Sequence, residues 1–121
     1  MTKSQIIDRY HFIRQILWAF DNVRKRVQKL YGDRNRKLFK HSKRLLIKRS
    51  SKLKDYEAER INAMMYISDE LRQAYYLKEA FYTVIDAQSR EEAKNLMADW
   101  ILSAQNSGMP EYTSCSNTLI N

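Results

Sequence analysis

The chain has 121 residues with two glycines, one proline and a formal net charge of +8. So few turn formers exclude a strand-rich fold, where each reversal takes such residues, and a single cysteine, Cys115, excludes an internal disulfide or a thiolate zinc site. The basic excess favours an acidic partner, nucleic acid ahead of an anionic membrane surface, and no apolar run nears the roughly 18 residues of a membrane span.

Lys3-Ser-Gln-Ile-Ile7 reads as a short strand or extended lead-in, whose pairing partners the rest of the chain does not supply. Asp8 and His11 follow, three residues apart. They read either as the N-cap and first turn of an ordinary helix or as a polar pair at a strand-to-helix junction, where α/β folds place chemistry. One carboxylate and one imidazole are too few for a metal site.

The first helix is predicted from about His11 to Leu30, because Phe12, Ile16, Phe20, Val23, Val27 and Leu30 recur at three- and four-residue steps. Gly32 suits a left-handed stop, and Asp33 suits the N-cap of a second helix over Arg34 to Lys48. "RSSKLK" then reads as a polar loop, and Asp55 as the cap of a third helix carrying Ala58, Ile61, Met64 and Met65.

Ser68 reads as the N-cap of a fourth helix, with Asp69 and Glu70 favoured by the dipole of its first turn. Leu71, Ala74, Tyr75, Leu77, Phe81, Val84 and Ile85 form its apolar side. Ser89-Arg-Glu-Glu92 has the form of a capping box opening a fifth helix with Ala93, Leu96, Met97, Trp100, Ile101 and Ala104 inward. Gly108 ends it and Pro110 starts a short sixth piece. The tail "EYTSCSNTLIN" reads as polar and mobile, and Cys115 within it as inert.

The charge is unevenly placed. From Arg24 to Lys54 fourteen Lys and Arg stand against one acid, Asp33, a net +13, while the remainder carries eight basic and thirteen acidic residues, a net −5. A solvated helix face is the plain reading of a charge run, but this density exceeds what solubility needs, since like charges repel. Positions 36, 37, 40, 43, 44 and 48 fall largely on one side of a continuous second helix, opposite Leu38, Leu45 and Leu46, as a stripe suited to a phosphate backbone. The DNA-contacting candidates are Arg24, Lys25, Arg34, Arg36, Lys37, Lys40, Lys43, Arg44, Lys48 and Arg49. Tyr75, Tyr76, Tyr82 and Trp100, at helical spacing, read as core ahead of stacking residues. No Gly-rich phosphate loop, H-E-x-x-H or Ser-His-Asp order is present, so no catalytic set and no metal set is assigned.

"IIDRYHFIRQ", "LLIKRSSKL", "SDELRQAYYLKEAFYTVIDAQSREEAKNLMADWI" and "SGMPEYTSCSNTLIN", taken in order, resemble the middle of a bacterial insertion-sequence transposase of the DDE-type ISL-three family. The resemblance implies an RNase H-like catalytic domain whose three carboxylates hold two divalent metals, Mg2+ or Mn2+, for DNA strand cleavage and transfer. It also implies a helical insertion interrupting that domain. Asp8 and His11 then resemble the family's D-x-x-H signature, with the catalytic acids outside this segment and no cofactor within it.

The expected fold is therefore all-α, a five- to six-helix bundle with a short extended N-terminal lead-in left over from an RNase H-like sheet. Residues 1–10 would be the strand end and junction. Residues 11–121 would be a single insertion domain with a basic half, 11–54, and an acidic half, 55–121. The implied role is that of a transposase fragment contacting DNA phosphates without catalysis of its own, in the bacterial cytoplasm at the nucleoid. Its partners would be DNA, the remainder of the transposase and, when it self-associates, a second copy, with no membrane. A stand-alone helical protein-interaction module is the alternative.

Overall fold

The stripe Ile16, Phe20, Val23 and Val27 is almost wholly withdrawn from water, and the rest of the chain is arranged around it. A computed structural model describes the backbone of residues 3–31, 33 and 35–120, and the side chains among these from residue 11 onward. Within that set the chain forms seven α-helices and no strand: α1 (Lys3–Tyr31), α2 (Arg36–Phe39), α3 (Ser42–Leu46), α4 (Asp55–Ile67), α5 (Asp69–Ile85), α6 (Arg90–Gln105) and α7 (Pro110–Ile120). A 3-10 turn, Ser50–Lys52, replaces the expected polar loop.

Helix α1 lies against α5 and α7, and α6 packs on α5 and α7. Helix α4 flanks α5 and carries α2 and α3. The all-α bundle is as expected, but the extended lead-in is corrected: Lys3 to Ile7 belong to α1, which passes through Asp8 and His11 without a junction. With no strand among the described residues to receive them, the backbone groups of this segment find partners along the helix instead. Asp8 is accordingly no N-cap.

The second predicted helix is also corrected. It is broken into α2 and α3 at Lys40, which is extended, and His41, whose φ of 59° is left-handed. The break is bridged by a side chain twenty-two residues from Leu38. Arg60 on α4 donates to the carbonyl of Leu38 at 2.9 and 3.2 Å and to that of Lys40, taking acceptors a continuous helix would have used. Asn35, and not Asp33, stands at the N-cap of α2; the expected stop at Gly32 lies outside the described residues.

Later caps follow the sequence more closely. Ser68 Oγ accepts from the Leu71 amide at 3.1 Å, and Ser89 Oγ from the Glu92 amide at 3.1 Å. The reciprocal contact of Glu92 goes to the Gln88 amide, one residue before the cap. Asp55 is the first residue of α4 and does not cap it; Glu57 caps by accepting from the Lys54 amide at 2.8 Å. Gly108, at φ +75°, turns the chain between α6 and α7 as expected.

The helical piece opens at Pro110 as expected, but the polar, mobile reading of the tail is corrected. The tail forms α7, whose Tyr112, Cys115 and Ser116 are buried. Tyr112 donates its hydroxyl to the Ala74 carbonyl at 2.7 Å and meets Trp100 edge-on at 6.1 Å; Trp100 in turn stands edge-on to Phe81 at 5.2 Å. Cys115, expected in a mobile segment, is instead buried, and that burial pushes its thiol up to about 11, which disfavours the thiolate. Leu30 departs in the opposite sense, leaving the α1 stripe for solvent.

Arg26 clasps the bundle from α1, reaching Glu111 on α7 at 2.7 and 3.0 Å and Glu70 on α5 at 2.5 Å. The hydrogen bonds from Arg26 hold the Glu111 carboxyl below the ordinary glutamate value of 4.5. A carboxylate whose folded value is depressed stabilises fully above its unfolded value, and loses that contribution as pH falls through the folded one. Arg26→Gln should therefore flatten the fall in urea midpoint on acidifying from about pH 5 towards pH 2. An unchanged acid limb would show that the clasp contributes nothing.

Candidate nucleic-acid interface

The second half of α1 and the short α2 enclose an open groove. Lys25, Gln28 and Lys29 line it from α1, Arg36, Lys37 and Lys40 from α2 and its C-terminal residue, with the buried ring of Phe39 beneath. Arg24 also reaches its wall, and Asp33 is its one acid. The groove exists because α2 is a single turn held by Phe39 in the core, so its two adjacent cations and Lys40 come to face those of α1.

A second concavity begins at His41, which borders both, and takes in Arg44, Lys48, Lys54, Tyr56 and Arg60 with the acid Glu57. The break at Lys40–His41 thus divides the expected single stripe between two adjoining basic surfaces.

The candidate cations are not equivalent. Arg24 is buried, donating to Asp21 and to Gln28, each at 2.7 Å. Asp21 is a buried hub whose other oxygen lies 3.6 Å from both Lys25 and Lys43. Burial pushes its carboxyl up, but the hydrogen bond from Arg24 and the charges of Arg24, Lys43 and Lys25 outweigh this and hold it below 3.8. Lys48 pairs with Glu57 at 3.1 Å, and Arg49 pairs with Asp86 while lying 4.5 Å above the Tyr82 ring.

Lys29, Arg36, Lys37, Lys40 and Arg44 are exposed and take part in none of the ion pairs among the described residues. These are the charges available to an incoming polyanion, since an exposed cation has no partner to give up. Arg34 lies outside the described residues.

Lys29 was not among the sequence candidates, although its step of four from Lys25 places both on one α1 face. Arg60 carries no local signal, since it lies in the acidic half and acts through backbone carbonyls of the basic one. Lys78 is likewise invisible to pattern, being a lysine on the buried side of α5. Its ammonium donates to the Lys48 carbonyl and to Glu79, each at 2.6 Å, while Glu79 accepts from the Ser50 amide at 3.2 Å. Burial lowers the Lys78 pKa and Glu79 opposes this; the pair pins the end of the basic segment onto α5.

His11 is exposed on α1, its ring 6.1 Å from that of Phe12, and the side chain of Asp8 lies outside the described residues. Among the described residues no three His, Cys, Asp or Glu side chains stand where they could hold a metal ion. These described residues do not fit the paired-metal centre implied by the resemblance. Nor, among the described residues, is any helix long and apolar enough to cross a membrane.

No curated protein and no solved structure matches the chain. One family model does match, described as that of a transposase and covering residues 2–121. With nearly its whole length matched, this helical chain belongs to the ISL-three family of transposases.

Proposed function

We propose that the chain serves DNA transposition as a phosphate-gripping helical element, laying the groove between α1 and α2 along the DNA backbone. In this reading it is the helical insertion of an RNase H-like transposase, and strand cleavage is assigned to none of its described residues. Membership of a transposase family makes DNA the natural polyanion. The observation that carries the reading is the groove itself, where Lys29, Arg36, Lys37 and Lys40 face one opening with Asp33 as the one acid. Holding them together costs Coulomb repulsion that a phosphate backbone relieves.

The test is a salt titration of binding to a short duplex. Each phosphate neutralised contributes about −0.9 to the slope of log K against log salt, so four contacts give roughly −3.6. A slope near zero, or no binding at low salt, overturns the reading.

A second reading, a protein-contacting module, has one observation in its favour. Tyr76 and Leu102 are exposed on α5 and α6, and Tyr76 lines a shallow, mostly apolar groove with Leu77 and Ser103. Such a module would show no steep salt dependence towards duplex.

A further inference from the structure

The solvent face of α1 carries a pattern that the groove does not use. His11, Arg14, Trp18, Lys25 and Lys29 are all exposed and follow one another at steps of three, four, seven and four. At about 100° per residue these positions fall within roughly 40° of Trp18 around the helix, along about 27 Å of its axis. No acid stands on the strip itself: Asp21, on its flank, is buried against Arg24, with its other oxygen 3.6 Å from Lys25. Lys25 and Lys29, at its far end, are also walls of the groove, so strip and groove form one continuous cationic track.

Trp18 stands in the middle of this track with 68% of its surface open to water, whereas Trp100, the other tryptophan, is buried with its indole N–H on the Leu77 carbonyl. Isolated exposed apolar residues are ordinary; this one is set apart by its surroundings. A protein docking over Trp18 would have to desolvate Arg14 on one side and Lys29 on the other, neither of them in an ion pair among the described residues; only Lys25 reaches an acid, Asp21. A membrane surface would need an apolar face, and that of α1 is already spent in the core on Ile16, Phe20, Val23 and Val27. A nucleotide offers what both neighbours need, a π-face for the indole and phosphates for the flanking cations.

We propose that Trp18 is a stacking platform for an unpaired base of DNA whose backbone follows α1 into the groove, so that the chain prefers single-stranded or locally opened DNA to blunt duplex. The inference rests on the phosphate-contacting reading and deepens it by naming the form of DNA bound. Interior duplex bases are stacked on both sides and only the two terminal pairs of a blunt duplex show an outer face, so blunt duplex draws chiefly on the cations.

The experiment compares a blunt duplex, the same duplex with a short single-stranded overhang, and the single strand alone. Tryptophan emission is followed together with the anisotropy of labelled DNA. Emission should be quenched by the overhang and single-stranded forms and not by blunt duplex, and the quenching should vanish in Trp18→Phe, where Trp100 alone emits. Trp18→Leu, which keeps apolar bulk and loses the aromatic face, should bind the overhang form at least about fivefold more weakly with blunt-duplex affinity unchanged. Trp18→Phe should retain most of that affinity. Because Trp18 is exposed, both variants should melt with the natural chain.

Equal affinity of Trp18→Leu and the natural chain for the overhang form overturns the stacking platform while leaving the phosphate reading intact. So does quenching that depends on protein concentration without DNA, which would make Trp18 a contact between copies. Failure to bind DNA of any form overturns both.

Discussion

Tyr112→Ala should lower the free energy of unfolding by about 3–5 kcal/mol, the range for removing a large aromatic from a packed interior. Tyr112 is fully buried, its ring set edge-on against Trp100 and its hydroxyl on the Ala74 carbonyl of α5. The substitution therefore opens a cavity where α5, α6 and α7 meet and leaves the Trp100 ring, itself packed on Phe81, with one wall missing. Against a total of about 5–15 kcal/mol for a domain of ordinary stability, that is a large share. Tyr112→Phe keeps the ring and loses one hydrogen bond, and should cost about 1 kcal/mol. Urea denaturation of the three proteins checks the order. Two variants within about 0.5 kcal/mol of the natural chain would mean that the last turns do not belong to the core.

Replacing Lys29, Arg36, Lys37 and Lys40 together by glutamine should make the slope of log K against log salt for duplex shallower by about 3.6, if each holds one phosphate at about 0.9. Between 50 and 200 mM salt, a fourfold change, the natural chain would lose about a hundredfold more affinity than the variant. These four are exposed and stand outside the ion pairs among the described residues. Replacing Arg24 instead would leave Asp21 buried beside Lys25 and Lys43 alone, so its effect would mix stability with binding. The circular-dichroism melt of the quadruple variant should match or exceed that of the natural chain, since four mutually repelling charges are gone. An unchanged salt slope would remove the groove from the DNA path.

What could be read from residues alone were features fixed by near neighbours. The stripe of α1 from Ile16 to Val27, the Ser68 and Ser89 caps and the turn at Gly108 each depend on groups a few residues apart. The concentration of cations between Arg24 and Lys54 is of the same kind, being a matter of composition. What could not be read depends on contacts across the fold. Arg60 bonds the carbonyls of Leu38 and Lys40 at the break between α2 and α3, and nothing in residues 34–48 announces it.

The same separation runs through the site. The sequence by itself determined an all-helical chain with its positive charge in one segment, because helical periodicity, capping and charge are local quantities. Only the tertiary structure decided which of those charges are offered to a partner. Arg24, Lys48 and Arg49 are engaged by Asp21, Glu57 and Asp86, while Lys29, Arg36, Lys37 and Lys40 open into the groove. It also decided that the polar tail is core, because Tyr112 finds Ala74 and Trp100 only once α5 and α6 are in place. A side chain's charge belongs to its residue, but its availability depends on what the fold sets beside it.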